Sequence, residues 1–367
     1  MMLTRLTLAN VRNYAALDFE PLPGLNVFVG PNAQGKSNLL EAISLLGTGK
    51  SFRTSRESEI VRAGMPSAAL AGVARLASGT VRLSCALNLG AGGVQKIYTL
   101  NGRSVRYASY LGQIRVVTFV PAQLALVGGP PAGRRSLINA ALAQESPAYY
   151  GALASYHKFL AQKNALLRGS IAPDETLLAT YDERLVRSGT QLILARRAFV
   201  AALDERAKGV HRSWVGESDG ELEIAYVPDV PVDVPTSDAV AAAFQRRLAE
   251  KRASEAARRT SLAGPHRDDV VFRLGGVALA AFGSQGQQRT AVLALKVAEY
   301  GVLEARAGEA PLLLLDDVLS ELDPQRQSAF LRGVGSFEQA FVTTTHPVDV
   351  PVAAAYRIDR ATLARVA

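Results

Sequence analysis

The stretch Gly30-Pro31-Asn32-Ala33-Gln34-Gly35-Lys36-Ser37 decides the fold, through its own pattern and through the residues on either side of it. The apolar run Leu25-Asn26-Val27-Phe28-Val29, which is typical of a buried strand, leads directly into it. The apolar residues that follow have the spacing of one helix face: Leu39, Leu40, Ile43 and Leu46. A strand, a glycine-rich loop and a helix in this order match the Walker A pattern of phosphate-binding loops.

Each part of this loop has a chemical reason in a site that holds phosphates. Glycines let the backbone wrap a phosphate group with its N–H groups pointing inward, in front of a helix N-terminus. We expect Lys36 to reach the β- and γ-phosphates of ATP and Ser37 to offer its hydroxyl to Mg²⁺, with Asn38 among the ATP contacts. The alternative is an ordinary glycine-rich turn, which the strand–loop–helix setting disfavours.

A second acidic motif lies 280 residues after Lys36. The apolar run Leu312–Leu315 ends in Asp316 and Asp317, which is the Walker B form. Asp316 would hold Mg²⁺, directly or through water, and Asp317 would orient or deprotonate the attacking water. The alternative is a core strand followed by an aspartate that caps a helix. Because the two motifs are so far apart, the sequence between them must contain an insertion.

Three further elements resemble motifs of ABC-type ATPases. The segment Ser284-Gln285-Gly286-Gln287-Gln288, just before a predicted helix, resembles their signature motif, although a plain helix cap would have the same residues. The segment Ser320-Glu321-Leu322-Asp323 resembles their D-loop, and His346, after a buried strand, resembles their switch histidine. Each match is weak alone, but their order and spacing favour the ABC class.

The sequence predicts an α/β fold interrupted by helices. Residues 1–130 hold strand and turn patterns with the Walker A loop, and we interpret them as the first part of an ATPase lobe. Residues 131–263 are mainly helical, with a strand near 221–227, and form an inserted second lobe. Residues 264–367 return to strand and helix patterns and complete the ATPase with the signature, Walker B and switch histidine.

Composition limits the remaining choices. The 367 residues carry a net charge of +8, which favours a polyanionic partner and, in the absence of any amphipathic anchor, nucleic acid before a membrane. One cysteine, Cys85, and four histidines make a structural zinc site improbable and fit a reducing cytoplasm. The first 14 residues have no apolar core, so we expect no secretory signal.

Several blocks of sequence resemble the RecF family of bacterial recombination mediators, which are relatives of the SMC and Rad50 proteins. The resemblance begins near residue 6 and ends near residue 346. Its length and the lack of a coiled-coil pattern fit this family better than its larger relatives. The blocks that carry it are Leu8–Tyr14, Gly30–Ile43, Gly49-Lys50-Ser51-Phe52-Arg53-Thr54, Gly129–Arg135 and Gly264-Pro265-His266-Arg267-Asp268-Asp269.

The resemblance implies a two-lobed ABC-type head that dimerises on ATP. Ser284, Gly286 and Gln287 of one copy would face the γ-phosphate held by the other copy. The resemblance also implies DNA binding at single-strand gaps, weak DNA-stimulated ATP hydrolysis, and action with RecR and RecO in loading RecA. The nucleoid in the cytoplasm would then be its location.

Further residue roles follow only from the resemblance. Arg12 and Asn13 would lie near the ribose and α-phosphate, and Gln123 would be the Q-loop ligand of Mg²⁺. His346 would act at the catalytic centre beside Lys36 and Asp317. Two positions depart from the ABC pattern: Gln285 replaces a signature glycine, and Asp317 replaces a longer glutamate. We therefore expect slow turnover.

Basic residues supply the candidate DNA contacts. The first choices are Lys50, Arg53, Arg56, Arg134 and Arg135, followed by Lys158, Lys163 and Arg168. A helix with six basic residues between 246 and 259 is another candidate, but Glu250 and Glu255 interrupt it, which favours a solvated, salt-bridged face. We expect binding dominated by phosphate contacts, with a steep salt dependence.

Other functions fit parts of the pattern. An SMC- or Rad50-like DNA clamp, or another ABC-type ATPase subunit such as that of a transporter, would share the nucleotide motifs. A small-molecule kinase would share the P-loop, but it would have no use for the signature-like and D-loop-like segments. A clamp that binds ATP without hydrolysing it is a further alternative.

Overall fold

The strand that precedes the P-loop lies inside a six-stranded sheet, not at its edge. The computed structural model describes residues 1–169, 174–215, 220–318, 330, 337–346 and 352–366. The chain forms two units, one from residues 1–124 with 299–367 and the other from residues 125–298. A helical segment therefore interrupts an α/β unit.

Strands make up most of the first unit. In chain order they are β1 (Met2–Val11), β2 (Tyr14–Phe19), β3 (Gly24–Val29), β4 (Ser67–Leu76), β5 (Gly79–Gly90), β6 (Gly93–Leu100), β7 (Arg103–Val105) and β8 (Val116–Phe119), and after the second unit β12 (Leu312–Asp316), β13 (Gln339–Thr344), β14 (Ala354–Asp359) and β15 (Thr362–Arg365). Helix α1 (Lys36–Thr48) and the short α2 (Tyr107–Tyr110) lie between them in sequence, with 3₁₀ turns at Glu57–Ile60 and Pro121–Leu126.

One sheet of this unit has the order β15-β14-β3-β13-β12-β8. Its pairings are parallel except for β15, which returns antiparallel to β14. Strands β12 and β13 are buried along their whole length, as expected for strands covered on both faces. Strand β13 lies between β3 and β12, so the Walker A and Walker B strands end at the same edge of the sheet.

The other sheet is antiparallel, with the order β2-β1-β4-β5-β6-β7. Helix α1 is buried from Leu39 to Gly47, because its core cluster includes residues of both sheets. Leu39, Ile43 and Leu46 of the helix share this cluster with Leu6 and Phe341. The P-loop helix is thus held by hydrophobic contacts on several sides, which fixes its N-terminus.

Helices dominate the second unit. They are α3 (Pro131–Glu145), α4 (Pro147–Arg168), α5 (Glu175–Val215), α6 (Ser237–Arg258), α7 (Leu279–Phe282) and α8 (Gln285–Ala307), the last of which continues into the first unit. Strands β9 (Leu222–Val227), β10 (Asp269–Leu274) and β11 (Val277–Ala278) form a small antiparallel sheet. Thr236 caps α6, since its side chain accepts a hydrogen bond from the Ala239 N–H.

The unit boundaries differ from those expected from sequence. We expected the ATPase lobe to resume at residue 264, whereas the second unit continues to Ala298. The reason is strand pairing: β10 hydrogen-bonds to β9, so residues 264–298 share the sheet of the helical unit. Strand β11 has only two residues, because a helix begins at Leu279. Among the described helices, none has the length and apolar character needed to cross a membrane.

Candidate nucleotide-binding site

The P-loop turn requires its glycines. Gly35 has a φ of 115°, and a Cβ there would lie 2.8 Å from the Asn13 side-chain nitrogen. A Cβ at Gly30 would lie 2.4 Å from the carbonyl oxygen of Ile358 on β14. Both positions therefore need a residue without a side chain, because the backbone approaches other groups too closely. Helix α1 begins directly afterwards at Lys36.

Lys36 folds back over its own loop. Its Nζ donates hydrogen bonds to the carbonyl oxygens of Gly30, at 2.5 Å, and Pro31, at 2.8 Å. Burial lowers the pKa of the Lys36 amine, and the charges of Asp317 and Asp316 act in the opposite direction. The Walker B carboxylates therefore stabilise the charged form of this amine, and its role at the phosphates stays a prediction.

The Walker B carboxylates are positioned by Thr343, which sequence reasoning missed. The Thr343 hydroxyl donates to Asp316 Oδ1 at 2.9 Å and accepts from the Asp317 N–H at 2.9 Å. Thr343 is opposite Asp316 in the parallel register of β12 and β13, and Asp317 then turns away with a φ of 50°. The sequence signal was a threonine at the end of a buried strand, but the sequence did not show that this strand lies beside the Walker B strand.

Mg²⁺ prefers oxygen ligands and keeps several water molecules. The predicted ligands fit this preference: Asp316 offers a carboxylate, and the Ser37 hydroxyl makes no hydrogen bond within the described residues. In the described part of the chain, no group of three or more histidine, cysteine or acidic residues could hold a metal by itself. Phosphate oxygens and water molecules would supply the remaining ligands of the ion.

Gln123 and His346 follow the two strands that flank β12 in the sheet. Gln123 follows β8, the strand beside β12, and its side-chain oxygen accepts from the Val120 N–H at 3.3 Å. His346 follows β13 and is exposed, with its Nδ1 2.9 Å from the Thr345 hydroxyl. Both are on the carboxyl side of the sheet, and their predicted roles remain predictions. The predicted D-loop, Ser320–Asp323, lies outside the described residues.

A polar network supports the P-loop from the β1–β2 turn. Asn13 donates to the Gln34 carbonyl at 3.2 Å and accepts from the Asn38 side chain at 2.8 Å. Arg12 makes a two-point contact with Glu41, with distances of 2.8 and 2.6 Å. The predicted contacts Arg12, Asn13 and Asn38 are therefore brought together beside the loop, although the Arg12 guanidinium is committed to a protein carboxylate.

Glu41 is the second residue that sequence reasoning missed. It is buried on α1, where it also accepts from Ser51 and lies 3.8 Å from Arg53. Arg53, a predicted DNA contact, also donates to the Asn38 side chain, so it lies beside the nucleotide site. The available signal was an acid within an otherwise apolar helix. Through these contacts, Glu41 links the Gly49–Thr54 block and the β1–β2 turn to the P-loop helix.

The other predicted DNA contacts differ in exposure. Lys50 is exposed, and so is Arg56, whose side chain lies 3.8 Å from Glu59. Arg134 instead makes a two-point ion pair with Asp269, and Arg135 donates to the Asp268 carbonyl at 2.7 Å. These contacts give Arg134 and Arg135 a structural role in the second unit and disfavour a phosphate contact.

The candidate signature motif forms the N-terminus of α8. The Ser284 hydroxyl accepts from the Gln287 N–H at 3.2 Å, and the Gln287 side chain accepts from the Ser284 N–H at 2.9 Å. This reciprocal pair is a capping box, so the alternative of a helix cap describes the local structure. Ser284 and Gln285 are exposed, and a helix N-terminus is also a suitable site for an anion.

These features define the class of protein. A P-loop strand and a Walker B strand in one mainly parallel sheet, with a helical segment inserted between them in the chain, constitute an ABC-type ATPase head, as predicted. A family model described as the RecF/RecN/SMC N terminal domain matches residues 2–359. The crystal structure of an SMC head bound to the C-terminal winged-helix domain of ScpA has a TM-score of 0.55 at 15% identity, and supports the fold alone.

Closer relatives identify the family within this class. The protein named DNA replication and repair protein RecF from Symbiobacterium thermophilum is 43% identical over 96% of this chain and 93% of its own length. The one from Thermosynechococcus vestitus is 42% identical over 97% and 93%. A solved structure of the recombination mediator protein RecF with ATP has a TM-score of 0.91 at 31% identity, covering 100% of this chain and 97% of that one. The chain belongs to the RecF family, as its sequence blocks predicted.

Proposed function

We propose that this chain is an ATP-switched recombination mediator that dimerises around ATP and Mg²⁺ and binds DNA at single-strand gaps. One observation carries the proposal: the P-loop, Asp316 and His346 follow three adjacent strands that end at one edge of a sheet. That edge is where open α/β sheets bind their ligands. A solved structure with 31% identity to this chain is that of the recombination mediator protein RecF with ATP in the RecFOR pathway.

The P-loop would bind the phosphates of the nucleotide. Lys36 exchanges its two backbone acceptors for phosphate oxygens, and Asn38 and Asn13 border the loop. Ser37 and Asp316 would hold Mg²⁺, which when bound neutralises charge on the phosphates. Thr343 keeps the Asp316 carboxylate in one orientation through a hydrogen bond to Oδ1, and the other carboxylate oxygen would be available to hold the ion.

Hydrolysis needs a water molecule in line with the γ-phosphate, and Asp317 would orient or deprotonate it. The signature residues Ser284, Gly286 and Gln287 of a second copy would complete the site with a helix N-terminus. His346 would contact the γ-phosphate from the end of β13. Because Asp317 is shorter than glutamate, we propose slow turnover that is stimulated by DNA.

The polyanionic partner follows from charge. The chain carries a net charge of +8, and the exposed Lys50 and Arg56 follow the P-loop helix in the first unit. We propose that the ATP-bound dimer contacts DNA through phosphates, that it acts with RecR and RecO to help load RecA, and that it works at the nucleoid in the cytoplasm.

The composite site is tested by placing a large cation at the signature. With Ser284→Arg, we expect ATP binding to each copy to persist while the ATP-dependent dimer is weakened by at least about tenfold, as for a central interface residue. Analytical ultracentrifugation with and without ATP measures the dimer, and a matched control is Ser78→Arg in the exposed β4–β5 turn. An unchanged dimer in Ser284→Arg would contradict the composite site.

A further inference from the structure

The Gly264–Asp269 block is as distinctive as the P-loop, but the nucleotide site does not use it. Most of its polar groups are occupied within the second unit. These contacts are the 2.7 Å approach of His266 Nδ1 to the Tyr156 hydroxyl, the 2.8 Å ion pair of Asp268 with Arg196 and the 2.8 Å ion pair of Asp269 with Arg134. Arg267 differs, because its side chain is 45% exposed and its nearest carboxylate, Asp229, is 4.0 Å away.

Arg267 lines a pocket of about 120 Å³ in the second unit. One wall is a single face of α6, formed by residues at positions 247, 251, 254 and 258, which are spaced by one helical turn each. The full lining is Asp229, Arg247, Lys251, Ser254, Arg258, Leu262 and Arg267. We call this set the α6 pocket.

The α6 pocket is strongly positive. It has four cationic side chains and one carboxylate, Asp229, which also accepts from the Gly264 N–H at 2.9 Å and lies 3.5 Å from Arg247. Lys251 and Arg258 have no ion pair within the described residues. Arg247 and Lys251 are four residues apart on one helix, a like-charge spacing that destabilises a helix, and of the two only Arg247 has carboxylates nearby among the described residues, Asp229 and Glu250, each at 3.5 Å.

The shape of the pocket indicates which chemical class of anion it would bind. A phosphodiester backbone offers two free oxygens and one charge and is bound by open basic stripes, whereas a terminal phosphate offers three oxygens and a charge of about −1.5 to −2. Several convergent cations around a small concave pocket fit the second. We propose that the α6 pocket binds a phosphate monoester. Two sources share this chemistry: the terminal phosphate of a DNA strand, which rests on the proposed function, and a free phosphate compound, which does not.

The test uses the full chain with Lys251→Gln and Arg258→Gln together, which leaves the Arg247–Asp229 pair intact. The matched control is Arg246→Gln with Arg206→Gln, which removes two exposed cations of the same unit that lie outside the pocket. Binding is measured for gapped duplexes that carry a 5′-phosphate, a 3′-phosphate or only hydroxyl ends. Protection against thermal unfolding is measured with inorganic phosphate and with pyrophosphate.

For a DNA source, we expect the native chain and the control to prefer one phosphorylated end by about tenfold, and the pocket variant to lose this preference, because two charge-assisted contacts are removed. For a free source, phosphate or pyrophosphate protects the native chain and the control but not the pocket variant, with no end preference. Equal behaviour of the pocket variant and control in both assays would overturn the proposal. ATP-dependent dimerisation, measured in parallel, separates this result from a failure of the proposed function.

Discussion

The P-loop and the Gly264–Asp269 block are both conspicuous in the sequence, but the structure uses their polar groups differently. Within the described residues, the Lys36 amine hydrogen-bonds only to backbone carbonyls of its own loop, and the Ser37 hydroxyl makes no hydrogen bond. In the block, Asp268 is buried and paired with Arg196. Polar groups without side-chain partners indicate a binding loop, whereas polar groups satisfied inside the protein indicate a structural one. A distinctive motif alone does not separate these two.

The largest expected effect is a loss of stability when the ion pair of the structural block is removed. Arg196→Met leaves Asp268 as a buried charge without its ion pair, so we expect the second unit to lose about 3–5 kcal/mol of stability. Denaturant unfolding followed by fluorescence of Trp214, the one tryptophan of the chain, measures this unit. Arg187→Met, at an exposed position of α5, is the control. Equal unfolding midpoints for the two variants would show that the block has no structural role.

The next largest effect is on ATP hydrolysis at the proposed nucleotide site. Asp317→Asn keeps the shape of the side chain but removes its ability to accept a proton, so we expect ATP hydrolysis to slow by about 100-fold. The ATP-bound dimer should then persist in sizing experiments, whereas Asp233→Asn, an exposed control, should behave as the native chain does. A clamp that binds ATP without hydrolysing it would show no difference between these variants.

The pH dependence of stability tests the structural role of the Gly264–Asp269 block through its buried histidine. Burial lowers the pKa of His266 from 6.5 to about 4. Between these values the unfolded chain takes up a proton that the folded chain does not, so stability is full above pH 6.5 and falls as the pH drops toward 4. From pH 8 to pH 5 we expect a loss of about 2 kcal/mol.

Trp214 fluorescence during denaturant unfolding at the two pH values measures this loss. His266→Gln should reduce it, because glutamine does not titrate, while the exposed control His157→Gln should keep it. If the loss is the same in His266→Gln as in the native chain, the titration belongs to another group.

The smallest effect concerns the support of the P-loop. Glu41→Gln removes the charge that Arg12 contacts at two points, so we expect ATP to bind about fivefold more weakly, equivalent to about 1 kcal/mol. Glu59→Gln is matched, because its carboxylate lies 4.0 Å from the same arginine but is exposed. A role in folding alone would lower the melting temperature of Glu41→Gln and leave its ATP affinity unchanged.

The sequence by itself determined the local elements of this protein. The P-loop turn and the apolar strands β3 and β12 depend on residues only a few positions apart, so the sequence predicts them directly. The distance between Lys36 and Asp316 also required an inserted segment. The family followed from the same local blocks.

Only the tertiary structure decided which distant residues meet. Thr343 reaches Asp316 because β13 pairs with β12, and Arg134 is held by Asp269, 135 residues later in the chain. The end of the second unit at Ala298 likewise depends on the pairing of β10 with β9. The periodicity of the sequence indicates on which face of its helix or strand a residue lies. It contains no information on which other element packs against that face. For this reason, Arg134 and Lys50 look alike as cations in the sequence, and only the fold shows that one is paired and the other exposed.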